Sequence, residues 1–502
     1  MAQPDEATKR AGRGLIAIAG AKIFFILAGY TTQLLLPRLL GSPELFGLYS
    51  KVVSGISILN NVLIAATIQS VSKFVSEDES RAPFVLRQGL KLQLWIGGLL
   101  AIGILSLAPL FADFHHDPAA LPLFRIAAVL VFAYALYAAI VGTLNGRQLF
   151  AKQAGLDMTF ATLRTVGILG GAALLTQWGA LGSVAGFAAA AVLITVLALS
   201  LVGLGSGGGA IPMRAWIAFM APIWIYQGLL NGILQLDVQI LSNTVSTMAS
   251  EAGLEGSAVA NEHVGFYRAA QTFAFVPYQL ILAMTFIIFP MISKATSAGD
   301  DAAARSTIRG AMRLSLLLLL GVAAPIAGAS DGVMRIAYPE AYLAGAPALG
   351  ILVFGIVAFA LFVLCATVLS SAGRPATAAW IALFGLLSAT AGNYFFVREV
   401  GIGEHTLSAA AAGTALGMFV ALLLAGGTVY LRFRTLFAPI TVVRALVAGA
   451  VGFAVAGQIP SGSRIMALVA LAGGFFAYAG TLLLLRELKR ADLQAAFRVL
   501  KR

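Results

Sequence analysis

The sequence predicts an all-α polytopic membrane protein. About fourteen transmembrane helices are expected, built as two parallel-repeat six-helix lobes followed by two C-terminal helices. Three observations carry this. Of 502 residues, 60% are hydrophobic and 11% are charged, against about 25% charged in a soluble domain. The apolar residues gather into runs of helix length. Short segments of the first half recur, in order, in the second.

A helix crosses the hydrocarbon core with about 20 apolar residues. Such runs occupy 14–36, 48–68, 88–110, 121–144, 155–175 and 180–204 in the first half. In the second they occupy 216–242, 264–287, 308–329, 346–369, 376–396 and 408–430, with 439–456 and 465–485 after them. They are too long and continuous for the alternating strands of a membrane barrel. The 54 glycines suit helices that approach closely. A single cysteine, Cys365, excludes an intramolecular disulfide. The segment 1–13 is polar and the first apolar run is too long for a signal core, so no cleavable signal is expected.

Of the 33 lysines and arginines, 24 fall on one side of these spans if both termini are cytoplasmic. Loops on that side carry the positive excess that sets orientation. The net charge of +12 therefore reads as topology and not as nucleic-acid binding. The glycine-rich stretch 203–209 reads as a flexible connector. The expected divisions are a cytoplasmic segment 1–13, an N-lobe 14–204, a linker 205–213, a C-lobe 214–434, spans 13–14 over 435–485 and a basic cytoplasmic tail 486–502. In the tail, Leu493, Phe497 and Leu500 share a face. It reads either as an amphipathic helix on the inner leaflet or as a positive stop after the last span.

Internal echoes recur at an offset of about 220 residues. Gly47-Leu48-Tyr49 matches Gly265-Phe266-Tyr267, and Val71-Ser72-Lys73 matches Ile292-Ser293-Lys294. Leu144-Asn145-Gly146-Arg147 matches Ser371-Ala372-Gly373-Arg374, and Gly179-Ala180-Leu181-Gly182 matches Val400-Gly401-Ile402-Gly403. Six spans per half keep both halves in one orientation, which implies parallel repeats.

The stretches Leu39-Leu40-Gly41-Ser42-Pro43-Glu44-Leu45-Phe46-Gly47-Leu48-Tyr49-Ser50, Val71-Ser72-Lys73-Phe74, Tyr267-Arg268-Ala269-Ala270, Phe289-Pro290-Met291-Ile292-Ser293 and Leu369-Ser370-Ser371-Ala372-Gly373-Arg374-Pro375 carry a resemblance. As an ordered set they resemble the polysaccharide and oligosaccharide flippases of the multidrug/oligosaccharidyl-lipid/polysaccharide exporter superfamily. The resemblance implies two lobes in a V-shaped arrangement and alternating access. It implies a central cavity bounded by spans one, two, seven and eight, and an isoprenoid-pyrophosphate-linked glycan as substrate.

Four cations lie inside spans: Lys22, Lys51, Arg164 and Arg268. Facing lipid near the bilayer centre, each costs at least ~2.5–3.5 kcal/mol. Lys22 shares a face with Gly29 and Gln33; Ser54, Ser57 and Asn61 follow Lys51; and Thr272 and Gln279 follow Arg268. Lys22, Lys51 and Arg268 are the candidate docking cations for a pyrophosphate. The alternative for Lys51 and Arg268 is snorkelling, since each lies about one turn from an outer end. Arg164 reads as structural, paired with Asp157.

Span seven carries Gln227, Asn231, Gln235, Gln239 and Asn243 at intervals of four. This stripe either hydrogen-bonds sugar hydroxyls or ties the lobes together. Asp237, the clearest acid within a span, is the candidate for proton or sodium coupling, for pairing with a cation, or for an outer end in water. His115-His116-Asp117 lacks the companion ligands of a metal site. No Gly-Lys-Ser/Thr phosphate loop is present. No cofactor, metal or enzymatic activity is expected.

The expected function is flipping of an isoprenoid-pyrophosphate-linked oligosaccharide from inner to outer leaflet of a bacterial cytoplasmic (inner) membrane. Membrane lipids and the glycan polymerase machinery are the expected partners, without nucleic acid. The rivals are a cation-coupled multidrug exporter of the same superfamily, a membrane-bound glycan polymerase or ligase, and an assembly scaffold. Spans one and two contain Lys22 and Lys51 but no acid, which disfavours the exporter. The outer loops are too short for the polymerase or ligase.

Overall fold

The computed structural model describes residues 6–175, 178–209, 211–298 and 300–488. The described residues are almost entirely helical and include no strand. The helices are α1 (Glu6–Leu40), α2 (Pro43–Glu77), α3 (Ala82–Phe114), α4 (Ala120–Gly146), α5 (Phe150–Leu174), α6 (Ala180–Val202), α7 (Met213–Glu251), α8 (Gly256–Ala274), α9 (Val276–Ser297), α10 (Asp301–Gly328), α11 (Ser330–Ala337), α12 (Ala346–Ser371), α13 (Pro375–Val400), α14 (Thr406–Phe433), α15 (Pro439–Gln458) and α16 (Arg464–Leu484). Most of residues 486–502, with the whole Leu493–Phe497–Leu500 face, lie outside the described residues, as do residues 1–5 of the polar N-terminus.

Local chemistry sets the boundaries. Gly41 takes the left-handed conformation (φ 76°) that ends α1. Ser42 then caps α2, its hydroxyl accepting from the Leu45 N–H at 3.1 Å, and Pro43 fills the first turn, where no N–H is needed. Twelve helices among the described residues are long and apolar enough to cross a bilayer, against the fourteen expected. α5 carries Lys152, Asp157 and Arg164 and falls outside that set. The eighth expected span divides at Phe275 into α8 and α9. Pro277 donates no hydrogen bond to the turn before it, so the ladder is interrupted there. The continuous Arg268–Thr272–Gln279 stripe is thereby corrected: Gln279 belongs to a separate helix.

The chain forms two compact units, Met1–Gly265 and Phe266–Arg502. The division falls within α8, so α7 counts with unit 1. Unit 1 alternates up and down. α1 and α5 run parallel, with Phe25 against Phe160 and Thr32 against Thr165. α2 and α4 also run parallel: Ser72 donates to Asn145 at 3.0 Å, and Gly142 and Gly146 admit Val71 and Val75. α2 and α7 are antiparallel, with Gln239 against Gly55 and Asn231 bonded to Asn61. Near one end of this pair, Phe74 and Trp216 pack at 4.7 Å within a cluster that includes Val71, Val75 and Met220.

The glycine-rich connector is held rather than loose, correcting the expectation of flexibility. Arg87 on α3 donates to the carbonyls of Leu204, Gly205 and Gly207, and Gln88 donates to that of Ile211. A run without side chains exposes its carbonyls, and one guanidinium collects several of them.

In unit 2, α12 lies among α9, α10 and α14, and α13 pairs with α14 through Gly392 against Gly413 and Gly417 against Ala389. α15 and α16 pack on α10: Gly321 admits the Tyr478 ring, whose hydroxyl donates to Leu317 O at 2.7 Å. The last two spans are thus part of the unit and not an appendage.

α5 and α6 touch backbone to backbone. A Cβ at Gly167 or Gly171 would overlap the carbonyl of Gly186 or Gly182, and the reverse holds at Gly186 and Gly182. Small residues permit this approach in a membrane, where dispersion drives association. Gly186→Leu is expected to destabilise the protein by about 1–3 kcal/mol. Gly170→Leu, where a Cβ meets nothing within 4 Å, should shift stability by no more than about 0.5 kcal/mol. Thermal unfolding in detergent compares the two.

Candidate functional site

The echoing glycines meet each other. A Cβ on Gly47 would overlap the carbonyl of Asn261, and one on Gly265 would overlap that of Pro43. The start of α2 therefore crosses α8 at backbone contact. One turn beyond Gly47, Lys51 points into the space beside this crossing and is fully buried, its side chain 0% exposed.

Its ammonium pairs with the Asp117 carboxylate at 2.5 Å. Asp117 is brought there by the turn between α3 and α4, in which His116 takes a left-handed conformation and the Asp117 N–H donates to Ala112 O. Asn261 donates to Asp117 Oδ2 at 2.9 Å, and the Ala119 N–H donates to Oδ1 at 3.1 Å. From α7, the Gln239 amide donates to Lys51 O at 3.0 Å and Ser54 Oγ at 2.7 Å. Its oxygen faces His115 Nε2 at 3.0 Å. Since that amide spends its donor on α2, the imidazole donates through Nε2.

Removing two charges from water costs several kcal/mol each, which only close pairing and further hydrogen bonds offset. Burial pushes the Asp117 carboxyl up, but the Lys51 charge and the bonds from Lys51, Asn261 and Ala119 outweigh it and hold it below the ordinary carboxylate range. Burial, aided by the Lys51 charge, pushes His115 down to about 3, so it stays neutral.

The reading of Lys51 as an open docking cation is corrected accordingly: its charge is already met by a carboxylate that the sequence places 66 residues away. The His-His-Asp motif is part of this cluster, which sequence reasoning missed. Its signal was an acid and two histidines in a short loop between apolar spans, in a chain whose second span buries a lysine near its start. Among the described residues, no group of acids, histidines and cysteines is placed to hold a metal.

The other predicted residues are dispersed. Lys22 on α1 is 64% exposed, with its ammonium 4.0 Å from Asp157 on α5. Asp157 thus faces Lys22 and not Arg164, whose guanidinium instead stacks over Phe25 at 4.4 Å. Gln33 is half-buried on α1. Asn61 donates to Asn231 at 2.8 Å, and Asn231 donates to Gln227 O. Asn243 donates to Phe114 O. The span-seven stripe therefore binds α7 to α2 and to the end of α3 within unit 1. Gln235 is half-buried, while Asp237 is buried and accepts from the Val238 N–H at 2.8 Å. In unit 2, Arg268 is half-buried and donates to Gln271 at 2.8 Å, and Gln279 is half-buried on α9.

The fold is shared with solved transporters. The lipid II flippase MurJ, in an inward closed conformation, superposes with a TM-score of 0.75 at 15% identity, over 94% of this chain and 99% of that one. A multidrug resistance MATE family transporter of the MOP superfamily, inward-facing, gives 0.64 at 16% identity over 81% and 94%. A MOP superfamily transporter from Pyrococcus furiosus, described as having a binding pocket of reversed polarity, gives 0.58 at 17% over 85% and 95%. No curated protein matches significantly.

The spanning helices and this likeness define a multi-pass membrane protein with the MurJ- and MATE-like transporter fold. Residues 11–296 match the sequence profile of the polysaccharide biosynthesis proteins, and the chain belongs to that family.

Asp117→Asn leaves the Lys51 ammonium buried without an anion and is expected to cost about 3–5 kcal/mol. The double variant Lys51→Met/Asp117→Leu should lose clearly less than the two single changes summed, as a double-mutant cycle of unfolding measures. His115 gives a pH dependence. Folded, it binds no proton until about pH 3, whereas an unfolded imidazole binds one near its ordinary 6.5. The unfolded state binds more protons in that window, so stability falls as pH drops from 6.5 towards 3. In His115→Asn this part of the slope should vanish in thermal scans between pH 7.5 and 5.5.

Proposed function

We propose that the protein flips an isoprenoid-pyrophosphate-linked oligosaccharide from the inner to the outer leaflet of a bacterial inner membrane, for cell-surface polysaccharide synthesis. The observation that carries this is the polysaccharide biosynthesis family match on a chain with a transporter fold. Both termini are cytoplasmic in this reading, as the cation bias favours.

The chemistry on the helices supports the substrate. Lys22 is exposed and held by Asp157 at the outer limit of an ion pair, so its charge is open to a second anion. Arg268 is half-buried on α8 and presents a fork suited to phosphate oxygens. In this reading Lys22 in unit 1 and Arg268 in unit 2 each offer a positive charge to the pyrophosphate, while Lys51 fixes α2 to the α3–α4 turn. An apolar recess of about 660 Å3 in unit 1, lined by Ile58, Val62, Leu99, Gly103 and Trp224, suits an isoprenoid chain. Asp237 is the carboxylate that takes up a coupling ion.

A reconstituted assay tests this with an isoprenoid-pyrophosphate glycan in sealed vesicles. Lys22→Ala and Arg268→Ala should each slow translocation at least about tenfold, as loss of a charge-assisted phosphate contact implies. Unchanged rates in both would remove the docking assignment. Efflux of a cationic drug, without glycan-lipid movement by the unmodified protein, would establish the exporter instead. Asp237→Asn should abolish any response to an imposed ion gradient while leaving the melting temperature in place.

A further inference from the structure

Unit 2 carries a second concentration of cations, on residues not assigned to transport. The first turns of α10 are polar, and Arg305, Arg309 and Arg313 follow one another at four-residue spacing along one flank. With Asp301, Ser306 and Gly310 they line a recess of about 730 Å3. A Cβ placed on Gly310 meets nothing within 4 Å, so the floor between the arginines is open.

The charges do not cancel. Arg313 donates to Glu487 at 2.8 Å, and Arg444 on α15 donates to the other oxygen of the same carboxylate at 3.1 Å. Thr441 adds a third bond to it. Arg309 donates to Thr435 at 3.3 Å, a neutral partner. Against Arg305, Arg309, Arg313 and Arg444 stand Asp301, Glu487 and the N-cap Asp300, leaving one positive charge in excess. Guanidinium forks gathered in a recess grip phosphate oxygens bidentately.

The level of the recess decides the kind of phosphate. After Arg313, α10 turns apolar apart from the buried Ser315, and Leu314 and Leu318 are 48% and 44% exposed one and two turns beyond Gly310. A cationic recess at the head of a spanning helix, continued by an exposed apolar track, matches an amphiphile: head group above, acyl chain below. A soluble anion has no use for the leucines.

We infer that the recess of Arg305, Arg309 and Arg313 on α10 is a binding site for the head-group phosphate of an anionic phospholipid, whose acyl chain lies along Leu314 and Leu318. This site is independent of what the protein transports. It fastens the head of α10 to the membrane surface through a lipid, as a cluster of cations at the end of a spanning helix does.

The test uses the full chain, purified in detergent and titrated with phosphatidylglycerol or phosphatidylcholine, with retained lipid read by native mass spectrometry. Phosphatidylglycerol should be retained in preference to phosphatidylcholine. The Arg305→Ala/Arg309→Ala variant should bind it about 30-fold more weakly, at about a tenfold-or-less contribution per cation. Arg313 is left in place because it holds Glu487. Arg305→Lys/Arg309→Lys should recover part of the loss, and both variants should melt within a degree or two of the unmodified protein. Equal retention of the two lipids would overturn the inference. So would equal phosphatidylglycerol affinity in the alanine variant, or full displacement by inorganic phosphate at matched concentration, which would mark a soluble-anion site.

Discussion

Lys51 carries an ammonium into a part of unit 1 that water does not reach, and the Asp117 carboxylate makes that position tolerable. An unpaired charge there would cost about 3–5 kcal/mol, a large share of the roughly 5–15 kcal/mol by which a typical protein is stable. The short turn between α3 and α4 therefore has to sit where it does. It places Asp117 against Lys51, His115 against Gln239, and the Phe114 carbonyl within reach of Asn243. Four chain segments converge on one ion pair, and the ends of α2, α3, α7 and α8 are fixed together by it.

Glycine makes the convergence possible. Backbone contact at Gly47 and Gly265 brings Asn261 close enough to share the Asp117 carboxylate with Lys51. The same logic acts between α5 and α6, and between α13 and α14. In a membrane, where lipid tails are as apolar as leucine, close approach and buried polar bonds are what select one helix pairing over another. The span-seven amides fit this scheme: each one with a resolved partner spends its hydrogen bond on a neighbouring helix or on its own backbone, not on open space.

Unit 2 uses the same devices differently. Glu487, just past α16, collects Arg313, Thr441 and Arg444, so α10, α15 and α16 are joined at one carboxylate. Burial alone raises such a group, but the bonds from Arg313, Thr441 and Arg444 hold it below its ordinary range. The last two spans are thereby locked to α10 at one end by this cluster and along their length by Tyr478.

Much of this was legible beforehand. The bilayer asks for about 20 apolar residues per crossing, and that demand writes itself locally into composition. The helical class and most spans were accordingly readable; the cap at Ser42 and the meeting of Gly47 with the start of α8 appeared only in the structure. The break at Pro277 was also written locally, though the apolar run around it concealed it. Charge was a different matter. Four cations inside spans were visible, but not which of them were already neutralised, because an ion pair between residues 66 positions apart leaves no periodic or local mark. Lys51 and Lys22 look alike in sequence; the tertiary structure buries one against Asp117 and leaves the other exposed beside Asp157. The sequence alone determined that the chain is a bundle of membrane helices carrying costly charges. Only packing decided where those charges end, because the energy of a charge depends on what surrounds it in space and not on what precedes it in the chain.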